Sequence, residues 1–110
     1  MEYPYQREAQ IFKALSDPKR LAVLELLKSG EKCACVLMAT LRVSQSGLSY
    51  HMKILCEAGV VESWPVGKWT HYQLSPTGLA EAAALLESFT GGTGATEGGA
   101  ACGCAGTDSN

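Results

Sequence analysis

Residues 31–59 read EKCACVLMATLRVSQSGLSYHMKILCEAG, and the fold turns on how this stretch is divided. Two segments with helical spacing of apolar residues are joined by the short polar break Arg42-Val43-Ser44. After the break, Ser44 is placed to cap a helix over roughly Gln45 to Ala58, which Gly59 ends. At about 100° per residue, Leu48, Met52 and Leu55 gather on one side of that helix. Ser46, Ser49, Tyr50 and Lys53 fall opposite them, with Gln45 near the helix start. Before the break, a shorter helix over about Ala34 to Leu41 buries Leu37 and Leu41. Helix, tight turn, then an amphipathic helix with a polar outer face is a helix-turn-helix pattern.

Outward from this stretch, the chain supplies the remaining parts of one small domain. Towards the N-terminus, a first helix over Gln6 to Leu15 places Ala9, Phe12 and Leu15 on one stripe. Asp17 and Pro18 then start a second helix, one as cap and the other at the first helical position. This helix is expected to run to about Ser29, before Gly30, and its leucines with Val23 form the centre of the core. Towards the C-terminus, Val60 to Leu74 is rich in Val, Trp, Thr and Tyr around Pro65-Val66-Gly67-Lys68. That composition predicts a β-hairpin with Lys68 near its tip, the wing of a winged helix. Ser75-Pro76 starts a last helix, about Thr77 to Phe89, with Leu79, Ala83 and Leu86 on one stripe. From residue 91 onward the glycine-rich segment GGTGATEGGAACGCAGTDSN has no apolar period, which predicts a flexible tail carrying Cys102 and Cys104. The expected organisation is a domain over residues 1–90 and a tail over 91–110, mainly α with one hairpin.

Charge and cysteine usage narrow the function. The formal net charge is −2, from nine basic and eleven acidic groups in 110 residues. Two of the acids, Glu97 and Asp108, lie in the tail, leaving residues 1–90 balanced at nine against nine. Attraction to DNA through phosphates alone is therefore modest, and binding needs well-placed contacts on two half-sites. No run of about 18 apolar residues exists and the first ten residues lack the apolar region of an export signal, so a soluble cytoplasmic protein with no membrane partner is expected. In that compartment five cysteines point to metal or redox chemistry rather than structural disulfides.

Cys33 and Cys35 open the helix before the break. Thiolates select soft, thiophilic ions, and a helix start lowers thiol pKa through its exposed amides and dipole. Positions i and i+2 on a regular helix do not face each other, so an ion shared by this pair is expected to require an unwound first turn. Such a distortion would shift the following helix. A third thiol could come from Cys56, at the edge of the buried side of the reading helix. It could also come from Cys102 or Cys104, whose linker of about twelve residues reaches roughly 20 Å. Against each site stands a plain structural reading: two small residues at a helix start, a core cysteine, and incidental tail thiols.

The segments ALSDPKRLAVLELL (14–27), EKCACVLM (31–38), SQSGLSYHMKILCEAGVV (44–61) and GKWTHYQLSP (67–76) resemble the arsenic-responsive (ArsR/SmtB) repressor family over roughly residues 8–89. The resemblance implies a dimeric, non-catalytic winged-helix repressor that leaves its operator, an imperfect inverted repeat, when an ion binds. The thiol motif is similar to the family's ELCVCDLC, but Lys32 replaces the leucine, Val36 the aspartate, and Met38 stands where a third cysteine often lies. Arsenite or antimonite on three thiolates, or a methylated arsenical on two, is the implied inducer; no resident cofactor is. Gln45, Ser46, Ser49 and Tyr50 match the family's base- and phosphate-contacting positions, with Lys53 and Lys68 as phosphate contacts. Tyr50 stands where other members often have Arg or His. His71 is expected to be a packed strand residue, and the last helix has no His or Asp for the zinc site of other branches. The alternatives are a cadmium/lead or redox-thiol sensor on the same fold, and a thiol-rich metalloid buffer.

Overall fold

The computed structural model describes residues 3–91, so Cys102, Cys104 and the tail lie outside the described residues. Five helices and three short strands follow in the order α1 (Gln6–Leu15), α2 (Pro18–Leu27), β1 (Lys32–Cys33), α3 (Ala34–Leu41), α4 (Gln45–Glu57), β2 (Val61–Val66), β3 (Trp69–Leu74) and α5 (Pro76–Thr90). The local signals explain most boundaries. The Asp17 carboxylate accepts from the Lys19 and Arg20 amides at 2.7 and 3.2 Å, satisfying two orphan donors at the start of α2. Ser44 caps α4 through the Gly47 amide at 3.0 Å. Between α3 and α4 the chain turns at Arg42, the one non-glycine residue with positive φ (58°) among the described residues.

α2 stops two residues earlier than the spacing predicts. The Lys28 and Gly30 amides turn back to the Glu25 and Leu27 carbonyls, and Gly30 takes φ of 128° to leave the helix. The hairpin also differs in detail. Pro65 is a strand residue paired with Thr70, and only Gly67-Lys68 forms the turn, because Val66 pairs with Trp69. β2 lies at the edge of the sheet, where a proline's missing N–H interrupts no ladder.

The strand order is β1-β3-β2, all antiparallel. β1 is not legible as a strand in the sequence: two residues are too few for a period, and it exists only because β3 offers a free edge. The core gathers where α1, α2, α3 and α4 meet the sheet, and Ile11, Val23, Leu37, Met52, Leu55 and Val60 are essentially inaccessible. Burying each such side chain is worth about 1.5–3 kcal/mol. The expected stripes of α1 and α5 are rotated, and one expected core residue of α2 is not buried. In α1 the buried residues are Ile11 and Ala14, while Ala9 is exposed. Leu21 of α2 is half exposed. In α5 the helix lays Gly78 and Ala82 inward, leaving Ala83 and Leu86 facing out. Glycine decides that last rotation: a Cβ on Gly78 would collide with the carbonyl oxygen of Gly59, so α5 sits directly on the α4–β2 corner. Among the described residues no helix is long and apolar enough to cross a membrane.

Candidate nucleic-acid interface and thiol site

The two faces of α4 separate as helical spacing requires. Leu48, Met52 and Leu55 are buried, while Gln45, Ser46, Ser49, Tyr50 and Lys53 are exposed on the other side. Tyr50 is 62% exposed, a large aromatic left at the surface. Lys68 is exposed in the two-residue turn of the hairpin. All six residues expected to meet DNA therefore stand at the surface, on the two elements that a winged helix presents.

A residue that the sequence reading passed over fixes the orientation of α4. Arg20 lies on the inner side of α2, only 8% exposed. Its Nε donates to the Ala14 carbonyl at 2.7 Å, at the end of α1. One terminal nitrogen donates to His51 Nδ1 at 3.0 Å, which fixes that ring nitrogen as an acceptor. The Tyr50 ring meets the His51 ring edge-on, with centroids 5.2 Å apart. Arg20 thus ties α1, α2 and the reading helix together beneath Tyr50. The available signal was a cation three residues after an N-cap, one turn before the buried Val23 and two before Leu27, on the face the helix lays inward.

Asp17 belongs to the same cluster. Partial burial pushes its carboxyl pKa up, but the Arg20 and Lys19 amides and the Arg20 guanidinium together hold it below its ordinary value of 3.8.

Behind Lys53, a cavity of about 270 Å³ opens between α4 and the hairpin, bounded by Ser49, Lys53, Cys56, Ser63, Thr70 and Tyr72 over Met52. Cys56 sits here, hydrogen-bonded to the Ser63 side chain. Burial raises its thiol pKa, the Ser63 contact lowers it, and Glu57 raises it further.

The thiol pair stands at the start of α3, where the expected helix bounds place it. Cys33 is not in the helix; it is the residue before it, in extended conformation at φ −73°, ψ 148°. Its sulfur caps α3, accepting from the Cys35 amide at 3.2 Å. The side chains of Cys33 and Cys35 also hydrogen-bond to each other. No unwinding is therefore needed to bring them together, because the i and i+2 restriction applies only inside a regular helix. The Cys35 thiol hydrogen bond, with the Cys35 and Val36 amides, outweighs desolvation and holds Cys33 below the ordinary thiol pKa. For Cys35 the same bond, burial and the nearby Cys33 charge push the pKa up. Cys33 is the more acidic thiol of the pair.

Cys33 is also paired across strands with His71, and the His71 ring nitrogen lies 3.1 Å from the Glu31 carboxylate. His71 is half-buried beside the Trp64 ring, as expected for a packed strand residue. Cys33 thus holds the start of α3 through its sulfur and the central strand of the wing through its backbone.

Among the described residues no three of His, Cys, Asp and Glu gather into a metal-sized group. Within one chain Cys56 does not join Cys33 and Cys35, because its place on α4 turns it towards Ser63 and Tyr72. Met38 packs against the core. The donor set that does fit a soft ion is the two thiols.

Comparison with known proteins bears on this arrangement. The description of bacterial regulatory proteins of the arsR family matches residues 17–63. The uncharacterized HTH-type transcriptional regulator MJ1325 of Methanocaldococcus jannaschii is 36% identical over 86 residues, spanning 77% of this chain and 97% of that protein. The arsenical resistance operon repressor of Escherichia coli K12 is 42% identical over 79 residues, spanning 71% of this chain and 68% of that protein. A crystal structure described as a possible transcriptional regulator for arsenical resistance superimposes with a TM-score of 0.66 at 38% identity, covering 73% of this chain and 82% of that one.

Proposed function

The chain belongs to the arsR family of bacterial regulatory proteins, which are DNA-binding transcription regulators rather than enzymes, and on that premise we propose that it is a cytoplasmic, homodimeric repressor released from its operator by a thiophilic ion. The observation that carries the DNA half is the polar outer face of α4, with Tyr50 and Lys53 exposed directly opposite the buried Leu48, Met52 and Leu55. Gln45 suits a bidentate contact to adenine, and Ser46, Ser49, Lys53 and Lys68 suit base edges and phosphates. A balanced net charge makes two half-sites necessary, and the operator is an imperfect inverted repeat read by two copies of α4. Leu86 and Phe89, 52% and 68% exposed on α5, supply apolar surface for the second copy.

Arsenite, antimonite or a methylated arsenical is the inducer, taken by Cys33 and Cys35. Both thiols give up their protons to become ligands, Cys33 the more readily. Using the Cys33 lone pairs for an ion weakens its cap on the Cys35 amide and loads the strand pairing with His71. Both α3, which leads through Arg42 into α4, and the wing strand β3 are then strained away from their DNA-binding positions. A third thiolate comes from the tail or the second subunit, from Cys102 or Cys104.

A second reading is favoured by the same pair: a thiol of lowered pKa beside a second thiol also suits a redox or cadmium/lead sensor. The deciding experiment is release of a DNA duplex, selected from random sequence by the wild-type protein, by arsenite, antimonite, cadmium and peroxide. Cys33→Ser is expected to abolish release by arsenite and to leave DNA affinity intact. Normal arsenite release from Cys33→Ser removes the thiol pair from the mechanism. Release by peroxide without metalloid selects the redox reading, and arsenite binding without any selected duplex selects a thiol buffer.

A further inference from the structure

The cavity between α4 and the hairpin has a uniform chemistry. Its bounding side chains offer the Lys53 ammonium, the hydroxyls of Ser49, Ser63, Thr70 and Tyr72, and the Cys56 thiol. All are hydrogen-bond donors, and no carboxylate lines it. The two carboxylates on the same elements face elsewhere. Glu62 accepts from the Gln73 amide at 2.9 Å, and Glu57 lines the groove on the other side of α4 with Lys13 and Arg20, although its charge is felt at Cys56. Cys56 and Ser63 lie close enough for the Ser63 hydroxyl to lower the Cys56 pKa, as Thr70 does for Tyr72. Ser63 and Tyr72 are directly paired across the strands, and Thr70 lies two residues from Tyr72, so all three share the sheet face turned to α4.

A recognition helix in the major groove and a wing beside it leave the sugar-phosphate backbone running between them. We infer that this cavity is a backbone-phosphate site, held by Ser49 and Lys53 from the helix and by Ser63 and Thr70 from the hairpin. The inference rests on the DNA-binding role of α4 and extends the interface to two hairpin residues that carry no sequence information. A site built of one ammonium and several hydroxyls accepts the singly charged phosphodiester and has nothing with which to distinguish bases. It locks the register of the helix relative to the wing, so that Tyr50 and Gln45 meet the same base pairs each time.

The test compares the duplex selected by the wild-type protein with a random-sequence duplex, across a range of salt. The Ser63→Ala/Thr70→Ala double variant is expected to bind both about a hundred-fold more weakly or worse, by the same factor, as two lost hydrogen bonds to a charged group require. Its salt dependence stays that of the wild type because no charge is removed, whereas Lys53→Ala lowers the salt slope by about 0.9 for each half-site. Ser63→Asp, an exposed change that leaves the core untouched, is expected to weaken both duplexes further, most at low salt, and covers the case in which the double variant misfolds. Wild-type affinity of the double variant and of Ser63→Asp for both duplexes overturns the inference, as does a loss confined to the selected duplex. In either result, weakened binding by Tyr50→Ala and Lys53→Ala leaves the role of α4 standing. Unchanged binding by those two variants as well removes both.

Discussion

Replacing Arg20 with methionine keeps the aliphatic stem and deletes a guanidinium that joins three elements. In the wild type its donors serve the Ala14 carbonyl at 2.7 Å and His51 Nδ1 at 3.0 Å, in a position 8% exposed. The contact with Asp17 is 4.0 Å and is too long to weigh. Each hydrogen bond from a charged donor contributes about 1.5–3 kcal/mol. Against this, a buried cation no longer has to be desolvated, and replacing whole ion clusters by apolar residues is often neutral. That relief does not apply in full here, because the carbonyl and the imidazole nitrogen remain behind without a partner. The expected loss is about 3 kcal/mol, equivalent to roughly 12–24 °C in Tm for a domain of this size. Urea unfolding of Arg20→Met, His51→Ala and the double variant measures it. The double-mutant cycle is expected to return a coupling of about 1.5 kcal/mol or more between the two residues. Because Tyr50 rests on His51, Arg20→Met is also expected to weaken binding to the selected duplex at temperatures where it remains folded. A loss under about 1 kcal/mol, with coupling below the ~0.5 kcal/mol of independent sites, refutes the account of how α4 is held.

Three further outcomes follow from the same geometry. Alkylation of Cys33 by iodoacetamide is expected to persist to lower pH than for a free cysteine, and to be lost as pH falls through its lowered pKa. Cys35→Ala, which removes the donor, moves that midpoint upward, and an unmoved midpoint contradicts the pairing. The Asp17 cap is stabilising when ionised and its folded pKa is below 3.8, so its contribution is complete above the unfolded value and lost as pH falls through the folded one. Asp17→Asn is therefore expected to flatten the acid limb of the stability curve, read by urea midpoints between about pH 2 and pH 5. Gly78→Ala forces a methyl against the Gly59 carbonyl and is expected to cost about 1–3 kcal/mol, measured by urea unfolding.

Much of the scaffold was legible because its signals are local. Asp17-Pro18, Ser44, Gly59 and the Gly67-Lys68 turn act through neighbouring amides and φ angles, so their effects are readable without knowing the rest of the chain. The outward face of α4 follows from its own period. The rotations of α1 and α5 were not readable in this way, since each helix carries more apolar positions than one stripe can hold. Which of them turned inward depended on close approaches such as Gly78 to Gly59, between residues far apart in sequence.

The thiol site shows the same division within a few residues. Sequence alone determined that two cysteines stand at the start of α3, one helix before a polar reading face, in a chain of the arsR family. Tertiary structure decided what that placement means. Pairing with β3 holds Cys33 extended, so its sulfur can cap α3 through the Cys35 amide. It also decided that Cys56 joins Ser63 and Tyr72 rather than the pair, and that Arg20 reaches His51. Strand edges, cavities and buried cations are properties of distant segments brought together, and a local pattern holds no record of which segments will meet.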